Sequence, residues 1–389
     1  MSRRREKTRI VFYMETLSGG GAERALMTFL KHLPRSRYEI ALRAVSAHGP
    51  LACEIPSDVD FKALLPSFEG LSGWRLALYK LRYKLVYSLP SGVLHRLLRP
   101  SSPQAPDVEI AFVEGLTTKI VAAGEGGGAK RVAWVHCDLK HFPWPVGQGV
   151  FRDASAQARA YAAFDEVVAV SDVALKAFEE VAARSGVRIY NPVDHGAVTA
   201  FGESVCRTSP DTPLRLVVVG RVTHVKGVDR LLDALALLAA EGLDFRLTVV
   251  GTGDALAACR EKAVSLGLRD KVDFTGFLDA PQALSRECDI LVCPSRHEGF
   301  NLAIVEGMML GLPVVSTASG GPDEILEGGK WGVLTENSVE GLAYGLRQML
   351  TRADLRRRCR ALSLRRSGDF NLERSLEAFD RLIGKLLNP

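Results

Sequence analysis

Glu298-Gly-Phe-Asn-Leu-Ala-Ile-Val-Glu306 sets two carboxylates eight positions apart across a loop-to-helix junction. The apolar run Leu291-Val-Cys293 lies just upstream; Gly311 and the run Leu312-Pro-Val-Val315 follow. The order reads strand, loop, helix, Gly stop, strand. Glu298 falls in the loop and Glu306 about a turn and a half into the helix. A helix N-terminus at the carboxyl end of a strand presents free N–H groups and a positive dipole end. Two carboxylates beside such an anion site suit a ligand carrying both phosphates and hydroxyls, a nucleotide sugar above all. An isolated Glu is most often a solvated surface residue, so the specificity has to come from the rest of the chain.

Upstream, Leu216-Val-Val-Val-Gly220-Arg221-Val-Thr-His-Val-Lys226-Gly227 has the branched apolar run of a buried parallel strand ending in Gly220. Arg221 and Lys226 emerge at its carboxyl end, before the helical pattern Val228 to Ala240. Arg offers a planar fork for phosphate oxygens and Lys a mobile point charge; together they could neutralise a departing diphosphate. Leu247-Thr-Val-Val-Gly251-Thr-Gly253 and Val272-Asp-Phe-Thr-Gly276-Phe277 repeat strand then Gly. Plain surface charges and tight strand-to-helix turns are the competing readings of these residues.

The first half alternates in the same way: strand Arg9–Met14, helix Gly21–Leu33, then strands Glu39–Val45, Val108–Val113, Arg131–Val135 and Glu166–Val170. Such alternation predicts an α/β chain with doubly wound parallel sheets. Ser18-Gly19-Gly20-Gly21 follows the first strand and opens a helix, so backbone N–H groups could approach an anion closely. It is not G-x-G-x-x-G, and a flexible turn is the alternative. His136 and Asp138 sit just past the strand ending at Val135, where a cleft residue belongs. The polar segment 191–213 reads as a linker between domains 1–190 and 214–370, with a helical, Arg-rich stretch from Thr351 to Leu387 closing the chain.

These residues carry a resemblance. Gly220-Arg221 with Lys226-Gly227, Gly251-Thr-Gly253, Gly276-Phe277, the Glu-x7-Glu element and Gly320-Gly-Pro-Asp-Glu324 occur in the order found in the retaining glycosyltransferases of family four. Leu17-Ser-Gly19-Gly20-Gly21-Ala-Glu23-Arg24 resembles that family's N-terminal glycine loop. The resemblance implies a GT-B architecture of two Rossmann-like domains, with a final helix, 371–389, crossing back to the first. It further implies a metal-independent, retaining hexosyltransferase without a cofactor, moving sugar from a nucleoside-diphosphate sugar to a saccharide acceptor in polysaccharide, lipopolysaccharide or glycolipid synthesis. By resemblance, Arg221 and Lys226 stabilise the leaving diphosphate, aided by the Asn301–Leu302 helix N-terminus. Glu298 holds sugar hydroxyls, Glu306 the ribose, and Gly276–Phe277 the base. Gly19, Gly20, Gly21, Gly220, Gly251, Gly253 and Phe300 join the donor set, His136 contacts the donor sugar near the anomeric carbon, and Asp138 orients an acceptor hydroxyl.

Composition agrees with two domains. A chain of 389 residues exceeds one ordinary core, and 47% hydrophobic with 24% charged residues is usual for a globular protein. No run of eighteen apolar residues occurs, and Ile10–Met14 is too short for a signal-peptide core. Seven scattered Cys without C-x-x-C spacing read as reduced thiols and not as a metal site. Residues 1–190 carry 26 Lys and Arg against 19 Asp and Glu, whereas the remainder carries 24 against 26. In the basic half, Leu71, Trp74, Leu78, Leu81 and Leu85 form one helical stripe, interleaved with Arg75, Lys80, Arg82 and Lys84 and no acid. Leu71–Leu89 fits either a helix on an anionic membrane surface or a core helix buried on its leucines. The first option places the protein in the cytoplasm, peripheral on the cytoplasmic face of the inner membrane, with a lipid-linked acceptor.

Three alternatives stand beside this reading. A GT-B-like sugar-nucleotide epimerase would keep the sheets but lack the paired Glu-x7-Glu with Arg221 and Lys226. A non-catalytic glycosyltransferase-like subunit would be expected to have lost some of those charges. A nucleic-acid partner is not expected, because the basic residues cluster with Leu and Trp and build no flat stacking platform.

Overall fold

A computed structural model describes residues 7–99, 105–124, 128–202 and 213–388. The chain folds as two compact units: Met1–Pro192 with Glu373–Pro389, and Val193–Leu372. Of the segment 191–213 expected as a linker, residues 203–212 lie outside the described residues, and His195–Thr199 is a short helix of the second unit.

In the first unit the strands are β1 (Thr8–Met14), β2 (Tyr38–Ser46), β3 (Asp60–Leu65), β4 (Val108–Ala111), β5 (Lys130–Val135), β6 (Glu166–Ala169) and β7 (Val187–Arg188). They form a parallel sheet in the order β3-β2-β1-β4-β5-β6-β7. Ile10–Met14 is buried at every position, as a central parallel strand covered on both faces requires. Strand order reverses between β1 and β4, which opens a crevice beyond their carboxyl ends. An aromatic cluster fills one face of this sheet: Phe112 lies 4.9 Å from Trp134, and Phe29 lies 5.6 Å from Trp134 and 5.4 Å from Phe379. Phe379 comes from helix Leu372–Leu387, whose Asp380 accepts hydrogen bonds from Tyr38 and Arg37 and whose Ser375 donates to the Tyr190 carbonyl at 2.9 Å. Within the helical stretch read from Thr351 to Leu387, a 3-10 turn at Gly368–Phe370 separates this helix from Ala353–Ser367, which belongs to the second unit.

Strands β8 (Leu214–Val219), β9 (Phe245–Val250), β10 (Val272–Gly276), β11 (Ile290–Cys293), β12 (Val314–Thr317) and β13 (Val333–Thr335) make the second sheet, parallel and ordered β10-β9-β8-β11-β12-β13. Its reversal falls between β8 and β11, where Leu291 pairs with Val217. Leu216, Leu231, Leu235, Leu247, Ile290, Val315 and Leu346 share one core; each such burial stabilises by about 1.5–3 kcal/mol.

Helix Gly73–Ser88 corrects one expectation. Its Trp74, Leu81 and Leu85 are 72%, 65% and 62% exposed, and Leu78 is exposed as well. The leucine stripe is not a core face. The helix packs instead through aromatics: Tyr79 is buried 5.5 Å from Phe68, and the Tyr87 hydroxyl donates to Glu15 at 3.1 Å.

Candidate active site

Both charge clusters foreseen in the second unit lie at its topological switch point, on the loops after β8 and β11. At Gly227 the two loops meet main chain to main chain. Gly227 has φ 69°, and a Cβ there would stand 2.0 Å from the Pro294 carbonyl oxygen. Gly251 has φ 140°, and a Cβ would stand 1.9 Å from the Gly220 oxygen; one on Gly253 would stand 2.2 Å from the Val222 oxygen. Gly251 and Gly253 therefore back the Gly220–Arg221 loop by close main-chain packing. Gly276 ends β10, its carbonyl accepting the Gly251 N–H at 2.8 Å, and Phe277 beyond it is exposed.

Glu298 is buried, and three donors converge on its Oε1: Lys226 Nζ at 2.6 Å, Ser295 Oγ at 2.6 Å and Asn301 Nδ2 at 3.1 Å. Its main chain is pinned as well, with its N–H on the Ser319 carbonyl at 2.8 Å and its carbonyl accepting from Gly321 at 2.9 Å. The Gly320-Gly-Pro-Asp-Glu324 element thus buttresses the loop, and Asp323 caps its own turn through the Gly320 N–H. Asn301 adopts φ 100° and ψ 87°, a conformation non-glycine residues rarely hold, and its Oδ1 accepts the Ile304 N–H at the start of helix Leu302–Met309. Strain held at such a point is a mark of a functional turn. Phe300 differs from its expected place among donor contacts: its ring is 2% exposed and meets Phe370 edge-on at 5.6 Å, a footing for the loop.

A cleft of about 310 Å³ is lined by Gly220, Arg221, Lys226, Ser295 and Asn301. Arg221 is exposed, and among the described residues its guanidinium makes no ion pair. Glu306 faces a neighbouring cleft of about 220 Å³ with Gln282, whose Nε2 donates to it at 3.0 Å. Val219, Leu291 and Ala303 line both clefts. Glu306 therefore lines one of two adjoining spaces beside an amide, whereas Glu298 is bonded to Lys226, Ser295 and Asn301, which line the other.

The first unit carries its own polar cluster at the ends of β4 and β5. Glu114, buried, accepts the His136 N–H and the Trp144 indole N–H, each at 2.9 Å. The His136 Nε2 is buried without a hydrogen-bond partner. Burial pushes this imidazole down to about 4, against the opposing pull of the Glu114 charge, so the ring is neutral near pH 7. Asp138 differs from the role expected for it: Oδ1 accepts the Lys140 and His141 N–H groups and Oδ2 meets His141 Nδ1 at 2.7 Å, so the carboxylate is occupied by its own turn. At the glycine loop, Gly19 has φ 86° and Gly20 precedes helix Gly21–His32. The Glu23 carboxylate folds back there, accepting from Ser18 at 3.0 Å, and puts negative charge where an anion was expected. Among the described residues no three His, Cys, Asp or Glu side chains gather as a metal site, and no helix is long and apolar enough to cross a membrane.

Sequence reasoning missed Glu114, Ser295 and Gln282. A Glu directly after the apolar strand at the β1/β4 reversal was the available signal for Glu114; Ser295 and Gln282 carry none.

Residues 206–363 match the family described as "Glycosyl transferases group 1". The GDP-mannose-dependent alpha-(1-6)-phosphatidylinositol dimannoside mannosyltransferase of Mycobacterium tuberculosis (strain ATCC 25177 / H37Ra) is 30% identical over 311 residues, covering 76% of this chain and 77% of that protein. The chain belongs to the group 1 glycosyl transferases. This glycosyltransferase is also 30% identical over 171 residues to the lipopolysaccharide core biosynthesis glycosyltransferase LpsE of Rhizobium meliloti (strain 1021), covering 44% of this chain and 49% of that one. In fold it is similar to Anabaena HepE solved with UDP and glucose, with a TM-score of 0.74 at 20% identity over 97% of this chain and 99% of that one. The glycosyltransferase thus has the two Rossmann-like α/β units of the GT-B class.

Proposed function

We propose that this glycosyltransferase transfers a hexose, with retention of anomeric configuration and without a metal, from a nucleoside-diphosphate sugar to a lipid-linked saccharide of the cell surface. The observation that carries the reading is the Lys226–Glu298 ion pair, 2.6 Å long, beside Arg221 in the β8/β11 cleft. Lys226 has three N–H donors and gives one to Glu298, leaving two for diphosphate oxygens. Glu298 Oε2 is left for sugar hydroxyls. One contact thus ties the diphosphate ligand to the sugar ligand. Arg221, exposed and unpaired among the described residues, supplies a second cation, and the Leu302 helix N-terminus adds its dipole. As the glycosidic C–O bond breaks, the negative charge gathering on the leaving diphosphate meets these groups, and the departing phosphate takes the acceptor's proton on the same face.

Glu306, in the adjoining cleft, takes the ribose, and Gly276–Phe277 takes the base through main-chain groups. His136, neutral and with a free ring nitrogen, serves the donor sugar near its anomeric carbon. The names of the relatives support a cell-surface product: one extends a phosphatidylinositol mannoside and another builds lipopolysaccharide core. They do not agree on the nucleotide, because the first uses GDP-mannose and HepE was solved with UDP. A thermal-shift panel of UDP-, GDP-, ADP- and CMP-sugars tests the reading. One nucleotide should raise Tm in wild type and do so less in Lys226→Ala; no response to any of them would overturn it.

The exposed face of helix Gly73–Ser88 favours a cytoplasmic protein held reversibly on an anionic membrane. Trp74, Leu78, Leu81 and Leu85 are open to solvent beside Arg75, Lys80, Arg82 and Lys84, and each cation contributes about 1 kcal/mol near such a surface. Co-sedimentation with anionic liposomes should fall with salt and with Arg75→Glu/Lys80→Glu/Arg82→Glu. Indifference of the wild type to anionic liposomes would remove the membrane from the account.

A further inference from the structure

The turn that carries Lys226 is held from both sides by one residue of the opposite loop. Arg296 lies two positions before Glu298. Its two terminal nitrogens donate to the two oxygens of Asp229, each at 2.8 Å. One of them also donates to the His224 carbonyl, and the Arg296 main-chain N–H donates to the Val225 carbonyl at 2.7 Å. Two consecutive carbonyls before Lys226 and a carboxylate three residues after it are therefore bound to a single side chain and its amide. A second strap runs beside the first: Arg230 donates to the Pro294 carbonyl at 3.0 Å and to the Asn337 carbonyl at 2.9 Å, and Asn337 Nδ2 returns a bond to the Arg296 carbonyl at 3.0 Å.

We infer that Arg296, through its forked pair with Asp229, is a positioning residue that sets Lys226 against Glu298 and the leaving diphosphate. It lines neither cleft described above, so it acts on the reaction only through the turn. The geometry requires an Arg. A lysine carries the charge but cannot bond both Asp229 oxygens and the His224 carbonyl from one planar head. Asp229 remains an anion for this purpose. Burial works to raise its carboxyl, but the hydrogen bonds and charge of Arg296 hold it below the usual carboxylate range. A lysine on four rotatable bonds samples many positions, and fixing the backbone on both sides of it cuts the spread of Nζ relative to the charge it must meet. Small misplacements of such a group are costly to rate.

The inference rests on the reading of Lys226 as the diphosphate clamp, and a double-mutant cycle separates the two. Transfer kinetics are measured for wild type, Arg296→Lys, Lys226→Ala and the double variant, with Tm recorded for each. Arg296→Lys should lower kcat/KM about tenfold in the native background, mostly through kcat, and less than twofold in the Lys226→Ala background. Asp229→Asn should repeat that pattern, which keeps the test open if one variant folds poorly. An equal fold loss in both backgrounds, or a fall in Tm with no loss of kcat/KM, overturns the positioning role. No loss from Lys226→Ala itself overturns the clamp beneath it.

Discussion

The two units build the same crevice and furnish it differently. Each has a parallel sheet whose order reverses beside its first strand, β1/β4 in one and β8/β11 in the other. In the second unit the crevice holds opposite charges bonded to each other, with Lys226, Ser295 and Asn301 on one oxygen of Glu298. In the first unit the carboxylates of Glu114, Asp138 and Glu23 are spent on nearby N–H and hydroxyl groups, and a neutral His136 is left with an unpartnered nitrogen. On the function proposed above, the cation-bearing crevice suits an anion whose charge grows during reaction, and the crevice of occupied acids and neutral rings suits hydroxyls. The two reversals have the same topology, and the residues at the strand ends make them differ.

The largest effect should come from the cations. Lys226→Ala and Arg221→Ala should each lower kcat/KM by about 10²–10³-fold, or ~3–4 kcal/mol. They should differ in stability: Arg221 is solvent-facing and its loss should leave Tm unchanged, whereas Lys226 neutralises a buried Glu298 and its loss should lower Tm. Equal Tm in both variants would break the claim that the pair is structurally coupled.

In the first unit the expected loss is in stability. Glu114→Ala strands the His136 amide and the Trp144 indole N–H, at a cost of about 2–3 kcal/mol. Glu114→Gln keeps one acceptor oxygen and should cost about half of that. Denaturation midpoints showing no difference between the two would mean these bonds do not hold the loop.

The carboxylates of the second unit should separate in binding. Glu306→Gln should weaken a free nucleoside diphosphate about tenfold, the scale of one charge-assisted hydrogen bond. Glu298→Gln should leave that affinity unchanged or tighter, because Lys226 is released from its partner. Calorimetric titration with nucleotide alone decides this, and equal weakening would refute the division of roles.

The effect confined to low pH is a pH dependence of stability. The folded-state pKa of His136 lies near 4, below the ordinary value of about 6.5. As pH falls through that window the unfolded chain takes a proton that the folded chain refuses. Stability from this group is thus full above about pH 6.5 and lost toward pH 4, at no more than about 1.4 kcal/mol per pH unit. Relative to His136→Phe, wild type should lose Tm over that window. Parallel curves would contradict the buried neutral ring.

Much of the architecture was legible because parallel strands buried on both faces are near-continuous apolar runs, and Ile10–Met14 and Leu216–Val219 show this plainly. The edge strands of the first sheet were not. β3 is half-exposed with Asp60 and Lys62 in it, and β7 has two residues. Helix Gly73–Ser88 was visible as a helix, but periodicity alone does not say which face packs, and its buried residue proved to be Tyr79. In the site, Lys226, Arg221 and Glu298 stood out because they follow strand ends. The polar cluster around Glu114 did not, since His136 and Trp144 donate to it from 22 and 30 positions away through a fold that only the packed sheet creates. The turn at Asp138 was legible too, since its bonds to the second and third following N–H groups form a local turn that short polar side chains favour.

The central claim is that the chain's own cations carry the charge of the leaving diphosphate. It is tested most directly by the initial rate of sugar transfer after exhaustive chelation. With excess EDTA the wild type should keep its rate, while Lys226→Ala stays slow whether or not Mg²⁺ is added. Complete loss of wild-type transfer in EDTA, restored by Mg²⁺ or Mn²⁺, would contradict the account.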